Sequence, residues 1–189
     1  MLNPTITTER LILRPYQLSD APRLRELADS YAVASKLARL PHPYPAGEAE
    51  RWIGTHEALR ASGTGYPFAI EHGGDLLGSI GLEQSETGEY ELGYWLGEPY
   101  WNKGFGGEAA HGILAFGFGR LGLPYVRARY IADNHASARV LAKAGFLTTG
   151  RSRKLHIVLR TEVDMVHLVL VRDAFVGGES SAKQVYNAA

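Results

Sequence analysis

The chain has 189 residues, no cysteine, and a formal net charge of zero from 20 basic and 20 acidic side chains. Neither sign gathers into a long block, which argues against a nucleic-acid stripe or an acidic tail, so any bound anion has to be held locally. Without cysteine there is no disulfide framework, thiolate catalysis or Cys-ligated zinc, as in a protein of a reducing compartment.

The length suits one domain of the usual ~100–200 residues, expected over residues 1–176 with a frayed polar tail over 177–189. Met1 to Arg10 is polar and broken by Pro4, unlike a signal peptide, and no apolar run reaches the ~18–20 residues of a membrane span. A cytoplasmic protein with no membrane or nucleic-acid partner, a monomer or homodimer, is expected.

In chain order, Leu11 to Arg14 reads as a strand. Ser19-Asp20 caps a helix, with Pro22 in its first turn and Leu24, Leu27, Ala28 and Tyr31 on one face. Three prolines in Leu40 to Pro45 forbid regular structure, and Ala49, Trp52, Ile53 and His56 then restore the helical period. Tyr66 to Glu71 and Leu76 to Leu82 predict a hairpin around Gly73-Gly74. After a turn over Ser85 to Gly88, Glu89 to Leu96 alternates, with Tyr90, Leu92, Tyr94 and Leu96 on one face and Glu89, Glu91, Gly93 and Trp95 on the other. A loop through Gly107 leads to a helix carrying Ala110, Ile113, Leu114, Gly117, Phe118 and Leu121, stopped by Gly122 and Pro124. Tyr125 to Ala132 predicts a strand and Asp133-Asn134 a cap. A helix with Ala138, Leu141, Ala142 and Gly145 on one face follows, then closing strands over Phe146 to Lys154 and Glu162 to Val171. The order predicts an α/β (α+β) fold on a mixed, mostly antiparallel sheet flanked by helices.

The strand, glycine loop and helix around Gly104 carry the chemistry. Unpaired N–H groups at a helix N-terminus hold a phosphate without a basic patch, Gly104, Gly106 and Gly107 permit close approach, and Lys103 adds a mobile charge. A P-loop is ruled out because no Gly-Lys-Ser or Gly-Lys-Thr follows. Gly104-x-Gly106-x-x-Ala109 matches a short dinucleotide pattern, but hairpin-like strands precede it where a parallel unit belongs. A third reading is a tight strand-to-helix turn that binds nothing.

Resemblance separates these readings. The run Trp95 to Ala109, containing Trp101-Asn102-Lys103-Gly104-Phe105-Gly106-Gly107, closely resembles the acetyl-CoA pyrophosphate loop of the GNAT acetyltransferase superfamily, particularly its Rim-type branch of ribosomal-protein N-terminal acetyltransferases. Asn134 to Phe146 is similar to the family's next motif, Asn-x-x-Ser leading to Lys-x-Gly-Phe, and Thr8 to Pro15 to the Rim-type first strand. The likeness therefore runs in order from about Thr8 to Arg172. Two positions depart from the wider superfamily: Trp101 replaces the usual Gln or Arg at the start of the loop, and Leu141 replaces a tyrosine proposed to protonate the leaving thiolate.

The resemblance implies a GNAT-like sheet splayed at the acyl-CoA loop. It also implies acetyl transfer from acetyl-CoA to a primary amine, a protein N-terminal α-amine or a small molecule, by direct attack in a ternary complex. Leu96, Asn102, Lys103, Gly104, Phe105, Gly106, Gly107 and Asn134 become the coenzyme-binding positions, with a main-chain N–H near Leu96 holding the thioester oxygen. Ser137 becomes the acid, and Glu91 and His156 compete as base, the imidazole titrating in a useful range. The alternatives are a solvated strand glutamate, an ordinary histidine, and a plain N-cap and first-turn serine at Asn134 and Ser137. The loop Pro41 to Tyr44 resembles a variable acceptor wall. The histidines show no metal-ligand spacing, so no metal is expected. A CoA-binding regulatory module without turnover and a dinucleotide-dependent oxidoreductase are the rival functions.

Overall fold

The computed structural model describes residues 4–175, so the tail expected to fray lies outside the described residues. Eight strands form one mixed sheet in the order β1-β2-β3-β4-β5-β6-β8-β7. They are β1 (Ile6–Thr7), β2 (Ile12–Arg14), β3 (Gly65–His72), β4 (Asp75–Gln84), β5 (Tyr90–Leu96), β6 (Tyr125–Ile131), β7 (Leu147–Leu155) and β8 (Glu162–Val171). Every pairing is antiparallel except β5 with β6. Gly73 and Gly74 join β3 to β4 with φ of +59° and +89°, the doubly positive turn that follows the twist of a two-residue hairpin.

Strand alternation divides the interior into two cores. Tyr66, Phe68 and Ile70 of β3 and Leu92 of β5 face α4 (Phe105–Gly119), which is apolar nearly all round and buried along most of its length. The opposite core gathers Tyr16, Tyr44, Ala69 and Leu76 under α1 (Ala21–Ala28) and α3 (Glu48–Ser62). Trp95 packs against this second core while Tyr94 and Leu96 pack against the first, so the expected alternation of β5 holds. In β4, Ile70 pairs with Gly78 and Glu71 with Leu76, leaving Leu77 as an extra residue. That bulge lets Leu77 and Ile80 share one core despite their odd spacing.

Two expectations need correction. The first helix does not carry through to Tyr31: α1 stops at Ala28, and Tyr31 opens a separate turn, α2 (Tyr31–Ala34), with 56% of its surface exposed. Asp29 Oδ1 accepts the Tyr44 N–H at 2.7 Å and Ser30 Oγ accepts the Val33 N–H at 3.2 Å. These side chain to backbone bonds compete with the helix and end it. Also, α4 begins at Phe105, so Gly106 and Gly107 belong to its first turn and not to the loop before it.

Candidate active site

The pairing of β5 with β6 lasts two positions, Glu91 with Arg127 and Leu92 with Ala128. Beyond it the two strands part, forming the expected splay. The Gly97 N–H donates to Leu77 O at 2.9 Å on the β4 side. Successive strand residues turn their N–H groups to opposite edges, so those of Tyr94 and Leu96 face the splay. Gly78 lets β4 lie close beneath this edge: a Cβ there would meet Trp95 O at 2.1 Å and Leu96 Cα at 2.8 Å. The splay opens into a cleft of about 1490 Å³. That exceeds the ~300–1,000 Å³ of a single small-molecule pocket and suits a long ligand plus a second substrate.

The glycine loop forms one wall. Asn102 and Gly104 both take positive φ, +60° and +82°, a conformation that asparagine and glycine adopt most readily. The first helical bond of α4 runs from Glu108 N–H to Gly104 O at 3.2 Å, leaving the N–H groups of Gly104, Phe105, Gly106 and Gly107 without helical acceptors. With the positive end of the helix dipole, such unpaired N–H groups favour an anion.

A tight turn explains Gly104 but not the two glycines after it. A Cβ at Gly106 would meet nothing closer than 3.7 Å, and one at Gly107 nothing within 4 Å. Neither has a positive φ, so nothing inside the protein demands glycine at either position. The space beside both is open.

The loop is anchored from both ends. The Trp101 indole N–H, at the position where the wider superfamily carries Gln or Arg, donates to Leu96 O at 2.7 Å and ties the loop to the end of β5. Arg10 Nη1 donates to Lys103 O at 3.0 Å, and its guanidinium lies 4.7 Å from the Phe105 ring centroid. Glu108 holds Arg10 in turn, accepting from its backbone N–H and its Nε at 2.7 Å each, and from Thr8 Oγ1 at 2.6 Å. Sequence reasoning gave Thr8 and Arg10 no role beyond a family likeness. Lys103 is exposed, its Nζ 5.9 Å from the Tyr100 ring centroid.

On the other wall, Asn134 caps α5 (His135–Lys143), its Oδ1 accepting the Ser137 N–H at 3.1 Å. The Asn134 amide NH₂ remains for a ligand. Ser137 Oγ lies 2.9 Å from the Tyr94 hydroxyl, a bond that crosses the splay from α5 to β5. Tyr94 was read only as part of an apolar face, and its period-two position gives no sign of this contact. Leu141 is buried in the core, 1% exposed.

At the far end of the cleft, Glu91 pairs with Arg129 at 2.7 Å and stands directly across the β4–β5 ladder from Glu83. Lys154 of β7 completes this charged end. Glu83 lines the cleft with part of its surface open to solvent. Desolvation by the cleft walls raises its carboxyl, with Arg39 opposing and Glu91 adding. Burial lowers Lys154, helped by Arg129 and Arg39.

His156 is not brought to the cleft. It is fully buried in the turn between β7 and β8, where its Nδ1 accepts the N–H groups of Val158 and Leu159 at 3.2 and 3.1 Å. Burial also lowers its pKa. The sequence places it near the right strand but does not show that the ring turns inward to organise its own hairpin. Among the described residues no group of three or more His, Asp or Glu side chains could hold a metal ion, and no helix is long and apolar enough to cross a membrane.

The chain matches the acetyltransferase (GNAT) domain family over residues 10–147. It is 30% identical over 155 residues to the uncharacterised N-acetyltransferase YoaA of Bacillus subtilis (strain 168), covering 80% of this chain and 87% of YoaA. To the uncharacterised N-acetyltransferase p20 of Bacillus licheniformis it is 27% identical over 177 residues, 92% and 99% of the two chains. Its fold resembles Mycobacterium smegmatis RimJ in complex with CoA-disulfide, with a TM-score of 0.80, 20% identity, and 91% of each chain covered. It also resembles RimL, described as a ribosomal L7/L12 alpha-N-protein acetyltransferase in complex with coenzyme A, with a TM-score of 0.81, 18% identity, and 90% and 99% of the chains covered.

This chain belongs to the GNAT acetyltransferase family. It is an enzyme that transfers acetyl from acetyl-CoA to an amine acceptor. The oxidoreductase alternative falls with the fold: the loop does open a parallel β5–α4–β6 unit, but its ladder is two residue pairs long and the sheet before it is antiparallel.

Proposed function

We propose that the acceptor is the α-amine of a polypeptide N-terminus, as in the Rim-type branch. The observation that carries this reading is the Glu91–Arg129 pair. Arg129 Nε occupies Glu91 Oε1 at 2.7 Å, so this carboxylate is already engaged by a partner, and His156, the other base candidate, lies outside the cleft. An enzyme whose base candidate is engaged in this way is best served by an amine already partly neutral. At pH 7 about a tenth of an α-amine of pKa ~8 is neutral, against roughly one part in 2,500 of a lysine at ~10.4. The RimL and RimJ folds support the same choice, RimL being described as an alpha-N-protein acetyltransferase.

In this reading the α4 N-terminus and Lys103 hold the pyrophosphate, and the Asn134 amide bonds the pantetheine arm. The thioester is the acyl source. The N–H groups of Tyr94 and Leu96 steady its carbonyl oxygen where charge develops. Ser137 donates to the departing sulfur, and Glu91 receives the amine proton through water. Without cysteine in the chain, direct attack in a ternary complex is the simplest course. The protein works as a single acyltransferase domain, monomer or homodimer, in the cytoplasm, where acetyl-CoA and new polypeptides meet.

The test is thiol release at pH 7 with two short peptides, one with a free N-terminus and no lysine, the other Nα-blocked with one lysine. The first should react roughly 200-fold faster, the ratio of neutral fractions. Equal rates would overturn the α-amine assignment.

A further inference from the structure

Resting on the reading of Ser137 as the acid, we infer that Tyr94 is its positioning residue, donating its phenolic hydrogen to Ser137 Oγ so that the serine hydrogen is aimed at the departing sulfur.

A serine hydroxyl rotates freely unless something fixes it, and a rotor pointing the wrong way offers the sulfur a lone pair. The Ser137 backbone is fixed already, its N–H bonded to Asn134 Oδ1 at 3.1 Å. Its hydroxyl has one side-chain neighbour, the Tyr94 OH at 2.9 Å. The phenol has the Ser137 carbonyl as a second acceptor only at 3.5 Å, the outer limit of a hydrogen bond. The Tyr94 ring is itself held against the core that contains α4. A packed phenol donating to Oγ leaves the serine hydrogen as the free donor of the pair.

Burial pushes the Tyr94 phenol up to about 12, so it keeps its hydrogen throughout the working range and has it to donate to Ser137 Oγ. Leu141 offers no hydroxyl here. During transfer the new N–C bond forms as the C–S bond breaks. The amine proton leaves through the water beside Glu91, the sulfur takes the Ser137 proton, and cleft water restores it. Tyr94 gives up no proton.

The experiment compares Tyr94→Phe, Ser137→Ala and the double variant by kcat, KM for acetyl-CoA and Tm. Phenylalanine keeps the ring and its packing. Tyr94→Phe should lower kcat about 10- to 100-fold, within the range of a lost general acid, with KM within about twofold of the parent. The double variant should be no slower than Ser137→Ala alone. A kcat unchanged in Tyr94→Phe but low in Ser137→Ala overturns this inference and leaves the acid assignment standing. Full activity in Ser137→Ala overturns the acid assignment, and this inference with it. Losses that multiply in the double variant would mean Tyr94 acts on its own, which also overturns it. Should Tyr94→Phe fail to fold, Tyr94→Leu, which fills the same apolar space without a hydroxyl, takes its place: a kcat lowered toward that of Ser137→Ala supports positioning, and a parental kcat with the Ser137→Ala loss intact overturns it.

Discussion

At the proposed coenzyme end of the cleft one contiguous loop leads to the unpaired backbone N–H groups of the α4 N-terminus, held by Trp101 from one side and Arg10 from the other. At the acceptor end the groups are side chains brought from separate strands: Glu83 from β4, Glu91 from β5, Arg129 from β6 and Lys154 from β7. The first end is preorganised by local geometry, since its donors follow from where α4 begins. The second depends on strand register and on charges that partly oppose one another. Binding at the first end should therefore respond to backbone access, and chemistry at the second to the charge state of individual residues.

The sharpest test of that contrast is to fill the coenzyme end without disturbing the fold. Gly106→Ala with Gly107→Ala adds two methyl groups where the protein has room for both. Alanine in place of glycine favours a helix by up to ~1 kcal/mol per position, so Tm should hold or rise by a few degrees. Acetyl-CoA affinity should fall about 100-fold in calorimetry, because the methyl groups stand where a phosphate must approach. Unchanged affinity would return these glycines to the role of a simple turn.

The histidine that belongs to neither end gives the next largest effect, on stability and not on rate. In His156→Ala the part-buried bonds from the Val158 and Leu159 N–H groups to Nδ1 are lost along with the packing of a fully buried ring, costing about 1–3 kcal/mol. Thermal unfolding should register this while kcat stays at the parental value. The pH dependence has a definite sign. Its folded pKa is depressed, so below the ordinary ~6.5 the unfolded chain binds the proton more readily, and stability drops as pH falls through that value. His156→Ala should lack that drop, and a low kcat in a well-folded variant would restore His156 as a base.

The same contrast explains what was legible in the sequence. The positive-φ turn at Asn102 and Gly104 and the Asn134 cap lie within short runs in which residue type dictates backbone conformation, so both could be read in place. The hairpin at Gly73-Gly74 and the facing of Trp95 were readable for the same local reason. Contacts between distant segments were not. Glu108 with Thr8 and Arg10, Tyr94 with Ser137, and Glu91 with Arg129 join positions 38 to 100 residues apart, and no periodicity encodes which partners meet. His156 shows the limit from the other side: its place in the chain was read correctly, but the direction of its ring depends on packing. The early end of α1 was missed because Asp29 is claimed by Tyr44, 15 residues on.

At the acceptor end, Glu91→Gln removes the proposed proton acceptor and frees Arg129. For an α-amine that is already partly neutral the loss in kcat/KM should be about 10-fold, well short of the 10²–10⁴ of a fully engaged general base. It should be larger for the blocked lysine peptide. A loss above 1,000-fold with the α-amine would mean that the carboxylate is fully engaged as a general base despite its bond to Arg129, and the argument for the acceptor would fail.

The smallest effect distinguishes the two ends by electrostatics alone. Glu83 faces Glu91 across the ladder, and desolvation by the cleft walls raises its carboxyl above the ordinary carboxylate value. An acid with a raised folded pKa binds its proton more tightly in the folded than in the unfolded chain. Its contribution to stability is therefore lost as pH rises from the ordinary value through the raised one, and it stays unfavourable above. Glu83→Gln removes that penalty. The variant should melt slightly above the parent at pH 8, and the gap should narrow toward pH 4, where the raised Glu83 carboxyl takes up its proton. A glutamine variant less stable than the parent at pH 8 would show that Glu83 is paired, by Arg39 or Lys154, strongly enough to outweigh both burial and Glu91. The acceptor end would then be as well satisfied as the glycine loop, and the contrast between the two would rest on sequence distance alone.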